Sequence, residues 1–222
     1  YLRRAGGAVA VGPGAAVVLI DPNVTGDANS AGRGGSLKPG EPEPGGATYS
    51  LKLTNVIVDG NSAQGDGGGV YTAAAMTVTG TIVRNNTSTT NGGGVYNEGN
   101  TTISATTISG NEAEGGGGFF GTGSNTVNIA GVTLSGNKAV GGGAISGRSG
   151  VTMNIVNSTI SGNFGSDVGA GLYTNGTANL NFVTIAQNLA GADSPEAGSG
   201  INVFPASTTT NTVTLKNVLL AA

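Results

Sequence analysis

The sequence of 222 residues contains neither cysteine nor histidine. Without cysteine, disulfides cannot stabilise the fold, and without histidine the commonest metal ligand and general base is missing. Charge is scarce as well: 9% of residues are charged and the formal net charge is −3. The few Arg and Lys residues are scattered, so there is no basic field to hold a phosphate backbone, and nucleic acid is not an expected partner. No apolar run reaches the roughly 18 residues of a membrane helix. The nearest, AGGAVAVGPGAAVVLI at residues 5 to 20, is broken by Gly12, Pro13 and Gly14. Arg3 and Arg4 before it resemble the start of a secretion signal, but no Met begins the sequence and no cleavage site follows, so it reads as a mature segment.

What is present is glycine, 43 residues of it, among Ser, Thr and Asn. Such a composition would suit disorder, were it not for 37% apolar residues placed at regular intervals, which supply burial. A glycine triplet with a following pair recurs as Gly67-Gly68-Gly69-Val70-Tyr71, Gly92-Gly93-Gly94-Val95-Tyr96, Gly116-Gly117-Gly118-Phe119-Phe120 and Gly141-Gly142-Gly143-Ala144-Ile145. Degenerate copies follow at Gly169-Ala170-Gly171-Leu172-Tyr173 and Gly198-Ser199-Gly200-Ile201-Asn202. The period is about 25 residues, stretching to about 28 in later copies.

A second set, Ile57, Ile82, Ile108, Leu134, Ile160, Ile185 and Leu219, marks short β-prone segments, six of which are followed by Asn61, Asn86, Asn111, Asn137, Asn163 and Asn188. A third, Leu51/Leu53, Met76/Val78, Ile103, Val127/Ile129, Met153/Ile155, Leu180 and Val213/Leu215, alternates apolar with polar residues. Three short strands in about 25 residues cannot bury an apolar face alone, but stacked coils can. The pattern therefore predicts an all-β fold: a parallel β-solenoid with three strands per coil and roughly seven to eight coils. Residues 47–222 form the solenoid, and residues 1–46 form an irregular N-terminal arm or cap with a Gly/Pro-rich loop.

The units GGGVYNEGNTTISATTISGN and GGGAISGRSGVTMNIVNSTISGN resemble the GG-[AVI]-[IY] and [TS]-[IL]-x-G-N repeats of right-handed parallel β-helix proteins of bacterial surfaces, including the polymorphic outer-membrane protein type. The likeness spans about residues 46 to 222 and implies a right-handed coil and an extracellular or cell-surface location. It implies less about activity, because adhesins, filament components and polysaccharide lyases share that architecture.

Neighbouring strand residues face opposite ways. Val70, Val95, Phe119, Ala144, Leu172 and Ile201 are expected inside, and Tyr71, Tyr96, Phe120, Ile145, Tyr173 and Asn202 outside. Tyr71, Tyr96, Phe120 and Tyr173 would then form an outward docking stripe for a sugar or a neighbouring protein, or simply stack along the rod. The Asn column is expected to secure turns, adopting left-handed dihedrals and bonding from coil to coil. Thr106/Thr107, Thr133, Thr159 and Thr184 make an outer β-branched column. Asp66, Glu112, Glu114, Asp167, Asp193 and Glu196 share one edge, where they could be tested as a glycosidase or lyase pair, or could be solvated charges opposing sideways aggregation.

No catalytic, cofactor or metal site is expected. The final residues parallel 53–60 and stop in mid-coil, so Val218, Leu219 and Leu220, with Val9, Val11, Val17, Val18, Leu19 and Ile20 of the arm, are candidate assembly residues for contact between copies. The leading expectation is a secreted, non-enzymatic subunit of an extracellular filament, with an adhesin or glycan-binding module as the alternative and a polysaccharide lyase or hydrolase third.

Overall fold

In the computed structural model the described residues are 50–148, 150–191, 198–204 and 211–221, together with the backbone of short strands at Val9–Val11, Val18–Leu19, Thr25–Gly26, Ser30–Ala31 and Leu37–Pro39. Among them every regular element is a strand, and every strand pairs in parallel with its equivalent one turn away. One turn shows the construction. Val95–Asn97 lies in the first sheet, Thr101–Ser104 in the second and Thr107–Ser109 in the third. Val95 is in register with Val70 and Phe119, Ile103 with Val78 and Ile129, and Ile108 with Val83 and Leu134.

The protein is thus a parallel β-solenoid with about 26 residues per turn, about six of the turns lying in residues 50–221. The N-terminal strands bring each of the three main sheets to eight strands. Val9–Val11 pairs with Leu37–Pro39, Val18 and Leu19 with Lys52 and Leu53, and Thr25 and Gly26 with Ile57 and Val58. The boundary at residue 46, Val17 and Ile20 lie outside the described residues.

A fourth strand, not expected from the sequence, follows the asparagine in many turns. It forms two further sheets of three strands, one containing Ser62–Ala63 and Thr87–Ser88, the other Lys138–Gly141, Phe164–Val168 and Leu189–Ala190.

The core fills the inside of the coil. Val70, Val95, Phe119, Ile145 and Leu172 project in from the first sheet, and Val58, Val83, Ile108, Leu134, Ile160 and Ile185 from the third. Leu51, Leu53, Met76, Val78, Ile129, Met153 and Ile155 add the second. Each fully buried side chain of this size contributes about 1.5–3 kcal/mol, so stacking identical turns is what stabilises each one.

Two columns sit one residue away from where the sequence pattern puts them. Ile145, not Ala144, aligns with Phe119 and Leu172, so Ser146 joins the column of Phe120 and Tyr173. In the third sheet Ile57 and Ile82 align with Thr107 on the outer face, and Leu219 with Thr184, while the neighbouring Val58, Val83 and Leu220 take the inner column. Counting three residues back from each asparagine recovers the inward position at Val58, Val83, Ile108, Leu134, Ile160 and Ile185. The asparagine is thus a firmer register mark than the apolar residue.

Glycine is abundant because the coil turns through left-handed backbone. At the corner between second and third sheets φ is positive at Asn55, Gly80, Ala105, Gly131, Asn157, Phe182 and Asn217. At the next corner the left-handed residue is Gly60, Asn85, Gly110, Gly136, Gly162 or Gln187, immediately before the ladder asparagine rather than the asparagine itself. The left-handed role expected of the Asn column therefore belongs to the preceding residue, for which glycine carries no Cβ penalty.

Candidate functional site

Two columns of side chains run along the rod outside the aliphatic core, and they differ in continuity. The first is the asparagine ladder. Asn61, Asn86, Asn111, Asn137 and Asn163 each donate from the main-chain N–H and from Nδ2 to Oδ1 of the next asparagine at 2.9 to 3.1 Å, the series ending at Asn188. Nδ2 of Asn86, Asn111, Asn137, Asn163 and Asn188 also donates to the carbonyls of Val58, Val83, Ile108, Leu134 and Ile160. Asn86, Asn111 and Asn137 are fully buried, and the ladder supplies the partners that buried amides require.

The second column is aromatic. Tyr71 and Tyr96 stack with ring centroids 5.2 Å apart and planes 5° from parallel, and Tyr96 and Phe120 at 5.4 Å and 6°. The exposed stripe expected from the sequence is corrected here: Tyr71, Tyr96, Phe120 and Tyr173 are all buried. They do lie outside the coil's interior, but the segment between asparagine and glycine triplet folds back over them. At Gly115 a Cβ would come within 3.1 Å of the Phe120 ring, so glycine is what lets this cover close. The first three rings form a small apolar cluster separate from the main core.

Glu98, which the sequence reading passed over because it follows the Val-Tyr pair rather than the asparagine, accepts hydrogen bonds from the Tyr71 hydroxyl at 3.4 Å and the Tyr96 hydroxyl at 3.2 Å. Burial, reinforced by the Glu98 carboxylate, pushes the Tyr96 hydroxyl well above the usual phenol range, and burial raises the Tyr173 hydroxyl as well.

The aromatic column is interrupted. Ser146 stands in register between Phe120 and Tyr173, so the stack lacks a ring at that rung. Arg148, two residues on, places its guanidinium 5.3 Å from the centre of the Phe120 ring. Between it and Tyr173 lies a cavity of about 370 Å³ lined by Glu114, Val140, Ser146, Arg148, Asp167 and Tyr173 among others. The covering strands slip at the same place: Ala139 pairs with Gly165, but Gly141 pairs with Val168, an irregularity that puts an extra residue into 165–168. Bulges of this kind re-aim side chains and are over-represented beside binding sites.

The other carboxylates do not join this cavity. Asp66 accepts from Thr90 Oγ1 at 2.7 Å and from the N–H and Nδ2 of Asn91, and Glu112 pairs with Lys138 at 2.8 Å on the exposed surface. Asp193 and Glu196 lie outside the described residues. Among the described residues no cluster of three or more acidic side chains could hold a metal ion, and no helix is long and apolar enough to cross a membrane.

The threonine column divides. Thr107, Thr133, Thr159 and Thr184 stand in register on the third sheet, whereas Thr106 is buried and donates to the Ser104 carbonyl. Of the candidate assembly residues, Leu219 and Leu220 are exposed on the last strand, Val218 is half-buried, and Val9, Val11, Val18 and Leu19 belong to strands paired within this chain. No known protein family, curated protein or solved structure matches the chain.

Proposed function

We propose that the protein is a structural rod of the cell exterior that performs no catalysis itself and presents its lateral surface to partners. One observation carries this reading: the asparagine ladder runs from Asn61 to Asn188 without a break, so the most persistent polar residues of the repeat are spent on cohesion along the axis. The likeness of the repeat units to β-helix proteins of bacterial surfaces supports the location. An end-to-end filament would place Leu219 and Leu220 against a second copy. Their exposure follows wherever a solenoid sequence is cut, so a rod needs no end-to-end partner to account for it.

Immunogold labelling of cells that make the protein tests the location. Label on the outer surface or on extended extracellular material is expected, and label confined to the cytoplasm would overturn the proposal. Incubation with acidic and neutral polysaccharides tests the absence of catalysis, since newly released reducing ends would show a lyase or hydrolase instead. The adhesin reading is favoured by the interruption at Ser146, which supplies a lateral cavity of the kind a bound ligand needs.

A further inference from the structure

We infer that the interruption in the aromatic column is a binding site for a neutral glycan, entered at a single sugar ring. This inference stands on the cavity and not on the rod's location or on its lack of catalysis. Two departures from the repeat coincide there. The ring is missing at Ser146, and the covering strands change register between Ala139 and Gly141, opposite Gly165 and Val168. Either alone is a local irregularity; together they open a space of about 370 Å³, within the roughly 300–1,000 Å³ of small-molecule sites.

The walls of that space specify a ring with hydroxyls. Tyr173 presents a buried aromatic surface, backed on its other side by Phe204 at 6.2 Å. Opposite it stands the Arg148 guanidinium, held over Phe120. A sugar ring entering the gap meets a flat apolar surface on one side and a planar fork of donors on the other. Glu114 and Asp167 line the same cavity as hydrogen-bond acceptors for hydroxyl groups.

The charges decide between glycan classes. Two carboxylates and one guanidinium leave the rim net negative by one, from −2 + 1, which disfavours a uronic or sialic acid. A neutral hexose or N-acetylhexosamine satisfies the acceptors without adding negative charge.

The test uses the full chain on an array carrying neutral hexose, N-acetylhexosamine and uronic-acid oligosaccharides, followed by calorimetry with the best binder. Saturable binding to a neutral glycan is expected. It should weaken at least tenfold in Arg148→Ala, a surface change, and in Ser146→Tyr, which supplies the missing ring and fills the cavity. Circular dichroism and urea midpoints confirm that both variants fold. Binding confined to uronic-acid glycans, no binding across the array, or binding that persists unchanged in both folded variants would each overturn the inference. Tyrosinamide is the remaining probe: if it binds in place of every glycan, the gap takes an aromatic side chain instead.

Discussion

The asparagine and aromatic columns traverse the same turns, yet one tolerates an interruption and the other has none. In the asparagine column each rung from Asn86 to Asn163 both donates and accepts, so removing one member leaves the main-chain N–H and one Nδ2 hydrogen of the preceding asparagine buried without an acceptor. In the aromatic column each ring contributes stacking and apolar contact but leaves no polar group orphaned when absent. A ring can therefore be omitted at modest cost, and the omission becomes a cavity. The difference teaches where a repeat of this kind can acquire a ligand site: in the column whose contacts are apolar.

The largest test of that contrast is Asn111→Ala. It removes the donors to Val83 O and Asn137 Oδ1, and the acceptor for Asn86. With several charge-neutral hydrogen bonds lost and buried amides stranded, a loss of about 3 kcal/mol is expected, read as a fall in the urea midpoint. A loss below about 0.5 kcal/mol, the size of an ordinary surface change, would show that the ladder is not what binds the turns together.

Alkaline pH strikes the other column. Tyr96 and Tyr173 have folded-state pKa values raised above those of the unfolded chain. A group shifted in this direction contributes stability that is fully present below its unfolded pKa of about 10 and lost as pH rises through the folded value. Unfolding midpoints should therefore hold steady to about pH 9 and decline above pH 10, with Tyr96→Phe flattening the decline. An unchanged slope in Tyr96→Phe would place the sensitivity elsewhere.

Ser146→Tyr sharpens the comparison from the opposite direction. A ring at this rung, with Arg148 swung out from over Phe120, restores aromatic contacts with the column, each pair being worth about 0.5–1.5 kcal/mol, so the variant should gain about 1 kcal/mol in thermal or urea unfolding. The stabilised rod would then have lost its cavity. A destabilised variant would mean that Arg148 already fills the rung so well that no room for a ring is left.

The solenoid itself was legible in the sequence because its causes are periodic: glycine triplets, a β-prone segment and an asparagine at nearly constant spacing. The register was less legible. Gly141-Gly142-Gly143 matches Gly116-Gly117-Gly118 by letter, but Gly142 is the residue in register with Gly116, as the bond from Gly116 N–H to Gly141 O shows. That one-residue offset hid Ser146 behind Ile145 and made the aromatic column look continuous in its apolar character. Burial of the tyrosines was hidden for a different reason. The alternation rule reports which residues leave the coil's interior, and says nothing of a loop that folds back to cover them.

The corner between second and third sheets offers the smallest test, because there the repeat departs from its own rule without forming a site. Asn or Gly occupies most of its left-handed positions, but Phe182 adopts φ of 53° and is 59% exposed. A non-glycine residue in this conformation costs roughly 1–2 kcal/mol, and so exposed a ring recovers little of it through burial. Asparagine bears the conformation better, since its short polar side chain can bond locally. Phe182→Asn should therefore raise stability by about 0.5–1 kcal/mol with no change in glycan binding. A loss of stability would show that the ring packs in solution against a surface, such as a partner molecule, that repays the strain.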